Sequence, residues 1–162
     1  MNQVQRATPS LLTVVAWSDT VIETRGHRPG SPYVEAVWLG VLGPSATWAW
    51  QRLARIAAGH PGAAIDSADL AISVGLGERL GPNAAISRTL GRLVAFNVVQ
   101  RKDDVIAVRV ALPDLPARCV ARLSASARLA HELLGRSNLP ARPPTAPSPT
   151  VEQPATVVGV SP

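Results

Sequence analysis

Along this chain the apolar positions keep two different periods. From residue 31 to about 97 they recur every three to four residues, the spacing of a helix face, and after 98 they alternate like a strand. Leu11 to Trp17 precedes both; it is rich in β-branched residues and suits a strand, but it is too short for its period to decide. Asp19 is placed to cap a brief helical turn through Glu23, and Gly26, Pro29 and Gly30 then mark a loop. Ser31-Pro32 offers a hydroxyl cap with proline at the first helical position. Behind it Val34, Trp38 and Val41 form one stripe, widened by Val37 and Leu42. Gly43-Pro44 ends that helix and begins another, in which Ala46, Ala49, Leu53 and Ile56 face inward beside Trp50 and Ala57. Trp48, Arg52 and Arg55 lie on its other face, where the indole is either a contact site or is covered by the N-terminal arm.

The middle of the chain carries the most specific order of elements. Gly59 to Gly62 closes the second long helix, and Ala63 to Ile65 suits a single short strand that pairs with a later ribbon. Asp66 stands at an N-cap, answered by Asp69 three positions on, and Leu70, Ala71 and Val74 form the inward stripe of a short helix. Gly75, Gly77 and Gly81 permit a tight reversal through positive φ. Gly81-Pro82 then opens a helix expected over 82–97, with Ile86, Leu90, Leu93 and Val94 inward. Val98 to Lys102 and Val105 to Leu112 read as two strands joined at Asp103-Asp104, a weaker hairpin turn than Asn-Gly or Asp-Gly. Helix, turn, helix and ribbon in this order predict a mainly α protein with a small β ribbon. That is a winged helix-turn-helix with additional N- and C-terminal helices. The C-terminal helices are expected at 116–122 and 124–134, the second capped by Ser124, either completing the core or pairing with a second subunit.

This order points to duplex DNA. At about 100° per residue, Ala84, Arg88, Gly91, Arg92 and Ala95 share the outer face of the 82–97 helix. Small residues let a helix approach a groove while arginines reach phosphates or guanine edges. Asn83 and Ser87 flank the end where base-reading side chains sit in this geometry. Arg101 and Lys102 at the ribbon tip are placed to hold the backbone, opposed by Asp103 and Asp104, and Arg79 assists from the turn. From Arg79 to Arg109 six basic residues face two acidic ones.

Composition changes this picture little. Net charge is +5, which favours polyanions, but Lys102 is the only lysine among sixteen basic residues in an alanine-rich chain. Arginine in place of lysine is the usage of a GC-rich genome, so the placement of charge says more than its total. The 162 residues suffice for one cored domain at 11–139, after a flexible lead at 1–10. From Pro140 onward there are seven prolines in 23 residues, and this tail is expected to be disordered. Four of the six aromatics are tryptophans before residue 51, so the large core anchors lie early. Cys119 is the single cysteine and reads as a small hydrophobe in a reducing cytoplasm. No run of about 20 apolar residues suggests a membrane span, and Leu11 to Trp17 lacks the features of a signal peptide.

The chemistry of catalysis is not in evidence. His27, His60 and His131 stand apart, with no carboxylate or cysteine at ligand spacing, so neither metal nor cofactor is expected. The segment GLGERLG has the wrong spacing for a dinucleotide loop and no Gly-Lys-Ser/Thr ending. Cys119 has no obvious histidine partner.

Residues 11–135 resemble a group of uncharacterised winged helix-turn-helix proteins of high-GC Gram-positive bacteria. The resemblance rests on SPYVEAVWLGVLGPSATWAWQRLARI, DLAISVGLG and ISRTLGRLVAFNVVQ. The last two segments are also similar to the helix-turn-helix core of larger regulator families, and that similarity implies transcription-factor activity. The expectation is therefore a cytoplasmic, sequence-specific DNA-binding regulator with no enzymatic activity. It has two rivals. One is a protein-interaction module using the tryptophan-rich half and the proline-rich tail. The other is a small enzyme or ligand sensor, which would need a cavity joining Trp38 or Trp48 to His60 or Cys119.

Overall fold

The computed structural model describes residues 8–135; the first seven residues and the proline-rich segment lie outside it. Its order is β1 (Leu11–Ala16), α1 (Thr20–Arg25), a π-helical segment (Val34–Trp38) running into α2 (Leu39–Leu42), and α3 (Pro44–Gly59). Then come β2 (Ala63–Asp66), α4 (Ser67–Ser73), α5 (Ala85–Ala95), β3 (Val99–Lys102), β4 (Val105–Val108), α6 (Ala117–Val120) and α7 (Ala125–Gly135).

Local chemistry sets most of these boundaries. Asp19 accepts from the Ile22 N–H at 3.2 Å and Asp66 from the Asp69 N–H at 2.8 Å, so both expected N-caps form. Ser124 Oγ likewise accepts from the Ala127 N–H at 3.3 Å, at the start of α7. Pro44 occupies the first turn of α3, where its missing N–H costs nothing. Asp103 turns the β3–β4 hairpin at φ +53°, a conformation that Asp tolerates better than most residues.

The sheet departs from expectation. Its strand order is β2-β1-β4-β3, with β1 antiparallel to β2 and parallel to β4, and β4 antiparallel to β3. The fold is therefore α/β, seven α-helices with a four-stranded mixed sheet among the described residues, and not a mainly α winged helix with a small ribbon. The ambiguous run at 11–17 is the cause. Instead of β2 pairing with the hairpin, β1 inserts between them, and the Thr13 N–H reaches the Asp104 carbonyl at the hairpin tip (2.8 Å). The hairpin is thereby the edge of a sheet rather than a projecting wing.

The helix pair departs too. α4 and α5 are separated by residues 74–84, far longer than the three or four residues of a helix-turn-helix turn. Gly75, Gly77 and Gly81 do adopt positive φ, but they shape a loop, and α5 begins at Ala85, after Pro82 and Asn83.

One face of the sheet meets the helices. Leu12, Val14, Ile106 and Val108 are buried against α3, whose Ala49, Trp50, Leu53 and Ala57 are buried in turn. α5, with Ile86, Leu90 and Leu93 buried, packs beside α3 and against β3, where Val99 is buried. The register puts Leu11, Thr13, Val15, Ala64, Gln100, Lys102, Val105 and Ala107 on the other face, and none of them is buried. Side chains of one β face alternate with those of the other, so Arg101 and Lys102 leave the hairpin on opposite faces.

The strand expected over 105–112 ends at Val108, and residues 109–115 are pinned by aromatic donors from the N-terminal half. Trp50 Nε1 donates to the Arg109 carbonyl at 2.8 Å, and Trp38 Nε1 to the Pro113 carbonyl at 2.9 Å. His27 and Leu112 exchange two backbone hydrogen bonds, and Tyr33 Oη accepts from the Leu115 N–H at 2.9 Å. Buried indoles need an acceptor for their N–H, and this segment supplies it. α7 packs back on the π-helical segment, burying Ala127 and with it Leu123 just before the helix.

Candidate nucleic-acid interface

The residues expected to touch DNA separate into three groups. Arg79, Asn83, Arg88 and Lys102 are exposed. Arg88 lies on α5 next to Gly91, with Arg92 one turn on, and this face keeps its small residues and its reach. Asn83 belongs to the loop before α5 and not to the helix, because Ala84 is the N-cap.

Ser87 is turned inward. It is buried, its hydroxyl donates to the Gly81 carbonyl at 2.6 Å, and it lies 2.8 Å from Thr8 Oγ1. It ties the N-terminal arm and the glycine loop to α5 and cannot read a base. Arg92 is engaged: its guanidinium donates to the Val41 carbonyl at 2.6 Å and sits 5.4 Å from the centroid of Phe96. Arg101 Nε reaches the Asp103 carbonyl at 3.4 Å across the turn.

Arg109, part of the basic excess in the sequence, is not on this surface at all. It is buried, with Nε donating to the Asn97 carbonyl at 3.0 Å and one terminal nitrogen to Asp19 Oδ2 at 3.0 Å. Its guanidinium stacks 3.7 Å from the centroid of Trp17. The Asp19 carboxyl is held below its ordinary value, first by the Ile22 N–H and then by Arg109.

Of the candidate residues, Arg101 and Lys102 line a cleft to which Arg79, Asn83 and Arg88 do not contribute. Val94 and Asn97 from the end of α5 face Val99, Gln100, Arg101 and Lys102 of β3, with Val105 and Ala107 of β4 behind. Its volume is about 460 Å³ and no carboxylate lines it. Asp103 and Asp104 do not line it, but they follow Lys102 directly at the hairpin tip, and the Asp103 carbonyl lies 3.4 Å from Arg101 Nε, so the acidic pair stays beside these cations.

Two of the three histidines isolated in sequence, His27 and His131, are joined in space through Tyr33. His27 is buried, donates Nε2–H to Asp114 Oδ1 at 2.8 Å, and stacks on Tyr33 with ring centroids 3.7 Å apart. Tyr33 Oη and His131 Nδ1 share a hydrogen bond of 2.6 Å, Tyr33 Oη also accepts from the Leu115 N–H, and burial pushes its phenol up to about 12. No local spacing announces partners nearly ninety residues apart. The cluster clasps α7 and the 109–115 segment to the π-helical segment, and among the described residues no three His, Cys, Asp or Glu side chains form a metal cluster. Trp48 does line a cleft, but with Arg52, Arg55, Ser73 and Val74 and not with His60 or Cys119. The tryptophan-rich half is mostly core, since Trp38 and Trp50 are buried.

This is an α/β protein with a basic cleft where a helix end meets a sheet edge. No protein-family model, no curated protein and no solved structure matches the chain. No helix among the described residues is long and apolar enough to cross a membrane.

Proposed function

We propose that this protein binds duplex DNA through α5 and the edge of the β3–β4 hairpin, as a cytoplasmic transcriptional regulator. The observation that carries the reading is the cleft of about 460 Å³ between the α5 end and β3, basic and free of lining carboxylates, following the exposed Arg88–Gly91 face of the same helix. Arg88 enters a groove, Asn83 and Arg79 contact its border, and Lys102 holds a phosphate, with Arg101 contributing from the other side of the strand. Ser87 has no part in contact, and Arg92 has to leave the Val41 carbonyl before it can contribute. Leu129 and Leu133 are exposed one turn apart on α7 and offer a surface for a homodimer that would pair half-sites.

The test is mobility shift on a randomised duplex pool with wild type, Arg88→Ala/Lys102→Ala, and Arg92→Ala. Binding should weaken steeply between about 50 and 200 mM salt, and the double variant should lower the slope of log K against log salt by about 2. Arg92→Ala should lose less than the double variant. Unchanged affinity in the double variant, with the fold intact by circular dichroism, refutes the assignment.

A further inference from the structure

A second, separate cleft lies on the outer face of α3. Trp48, Arg52 and Arg55 sit at spacings of four and three residues, which stacks them along one helix face, and Ser73 and Val74 from the end of α4 form the opposite wall. The volume is about 290 Å³, near the lower limit of about 300 Å³ for small-molecule sites. Trp48 is 58% exposed, whereas Trp38 and Trp50 are buried and Trp17 lies under Arg109. An exposed indole is not what core packing requires of this helix, whose buried stripe is on the other side.

The charges are equally unspent. Arg52 makes no hydrogen bond or ion pair within the described residues, and Arg55 donates only to the neutral Gln51 Oε1, at 3.3 Å. No carboxylate lines the cleft. Three carbonyls in the last turn of α4, which would repel an anion if they were bare, are occupied. Leu70 O accepts from Ser73 Oγ, Ala71 O from the Leu76 N–H, and Ile72 O from the Gly75 N–H.

From this arrangement we infer that the α3 cleft binds one nucleotide unit, its base stacked on Trp48 and its phosphate held by Arg52 and Arg55. A planar π surface beside two guanidinium groups is the pairing that single nucleotides and unpaired strands require. A duplex presents no free base face to such a cleft, so this site is distinct from the α5 surface and does not rest on the DNA-duplex reading. The unit is either a free nucleotide, which would make the site an effector pocket, or one residue of a single strand.

Tryptophan fluorescence of the full chain is the assay, because Trp48 is the most exposed of the four indoles. Adenosine monophosphate, a deoxyadenosine pentamer and inorganic phosphate are titrated separately. Quenching by the monophosphate identifies a free nucleotide, and quenching by the pentamer alone identifies a strand; inorganic phosphate should not quench. Trp48→Ala, followed by equilibrium dialysis, should weaken binding about tenfold, the scale of a lost base stack. Arg52→Ala/Arg55→Ala should weaken it at least as much, with the circular dichroism spectrum unchanged. Arg88→Ala/Lys102→Ala should leave nucleotide binding intact, and Trp48→Ala should leave duplex binding intact, so either reading can fail alone. The inference is overturned if neither nucleotide probe binds, if inorganic phosphate binds as well as the monophosphate, or if the Trp48 and arginine variants bind like wild type.

Discussion

Replacing Arg109 tests how a buried guanidinium holds the two halves of this fold together. It follows β4 directly and links the Asn97 carbonyl beyond α5 to Trp17 and Asp19 beyond β1. Arg109→Ala removes a charged hydrogen bond to Asn97, a class contributing about 1.5–3 kcal/mol, and a cation–π contact of about 0.5–2 kcal/mol. Asn97 is exposed, so water can replace the lost donor, which places the first contribution at its lower end. The pair with Asp19 is left out because that carboxylate is at the surface, where ion pairs contribute little. The expected loss is about 2–3 kcal/mol in urea unfolding followed by circular dichroism, with m unchanged. Arg109→Lys should recover only part, since an ammonium cannot reproduce the planar fork that spans Asn97 and Asp19.

Acid titration adds a second readout. A depressed Asp19 carboxyl contributes stability that is present above its unfolded value near 3.8 and lost as pH falls through the lower folded value. The larger cause is the Ile22 N–H, which Arg109→Ala leaves in place, so the variant should flatten the acid limb only in part. A loss below about 0.5 kcal/mol for Arg109→Ala, the scale of an ordinary surface change, would refute the pinning role.

Three further outcomes follow from single contacts. Gly26→Ala should destabilise by about 2 kcal/mol or more in the same unfolding assay, because the added Cβ meets the Ile22 carbonyl and lies 2.8 Å from the Leu112 carbonyl, both rigid backbone. Tyr33 is the only tyrosine, so the tyrosinate absorbance band reports it alone and should titrate near 12. Its raised value means full stability below pH 10, lost progressively as pH rises towards 12, and Tyr33→Phe should abolish that alkaline slope while also removing its bonds to His131 and Leu115. Asp66→Ala removes the α4 cap and should cost about 1 kcal/mol by thermal or urea unfolding, whereas Asp66→Asn should retain most of it.

Much of the local structure was legible in the sequence. The caps at Asp19, Asp66 and Ser124, the break at Gly43-Pro44, the inward stripes of α3 and α5, and the change of period into the hairpin are short-range features. Each is set by a few neighbouring residues and by backbone geometry. The candidate interface was legible only as a set of exposed cations. Which of them are already engaged was not, because a serine or arginine bonds a distant carbonyl when one is within reach. Ser87 found Gly81 and Thr8, Arg92 found Val41, and Arg109 found Asn97 and Asp19.

The largest difference is the sheet. Leu11–Ala16 carries a strand's composition, yet nothing within it specifies a neighbour, since any two strands pair through the same backbone groups. Only the assembled chain, with α3 packed over Leu12 and Val14, places β1 between β2 and β4 and turns an expected ribbon into a mixed sheet. The sequence by itself determined where helices and strands begin, because caps, breakers and periods act over a few residues. The tertiary structure alone decided strand partners, buried charges and the His27–Asp114 and Tyr33–His131 pairs, because those contacts join segments up to ninety-eight residues apart.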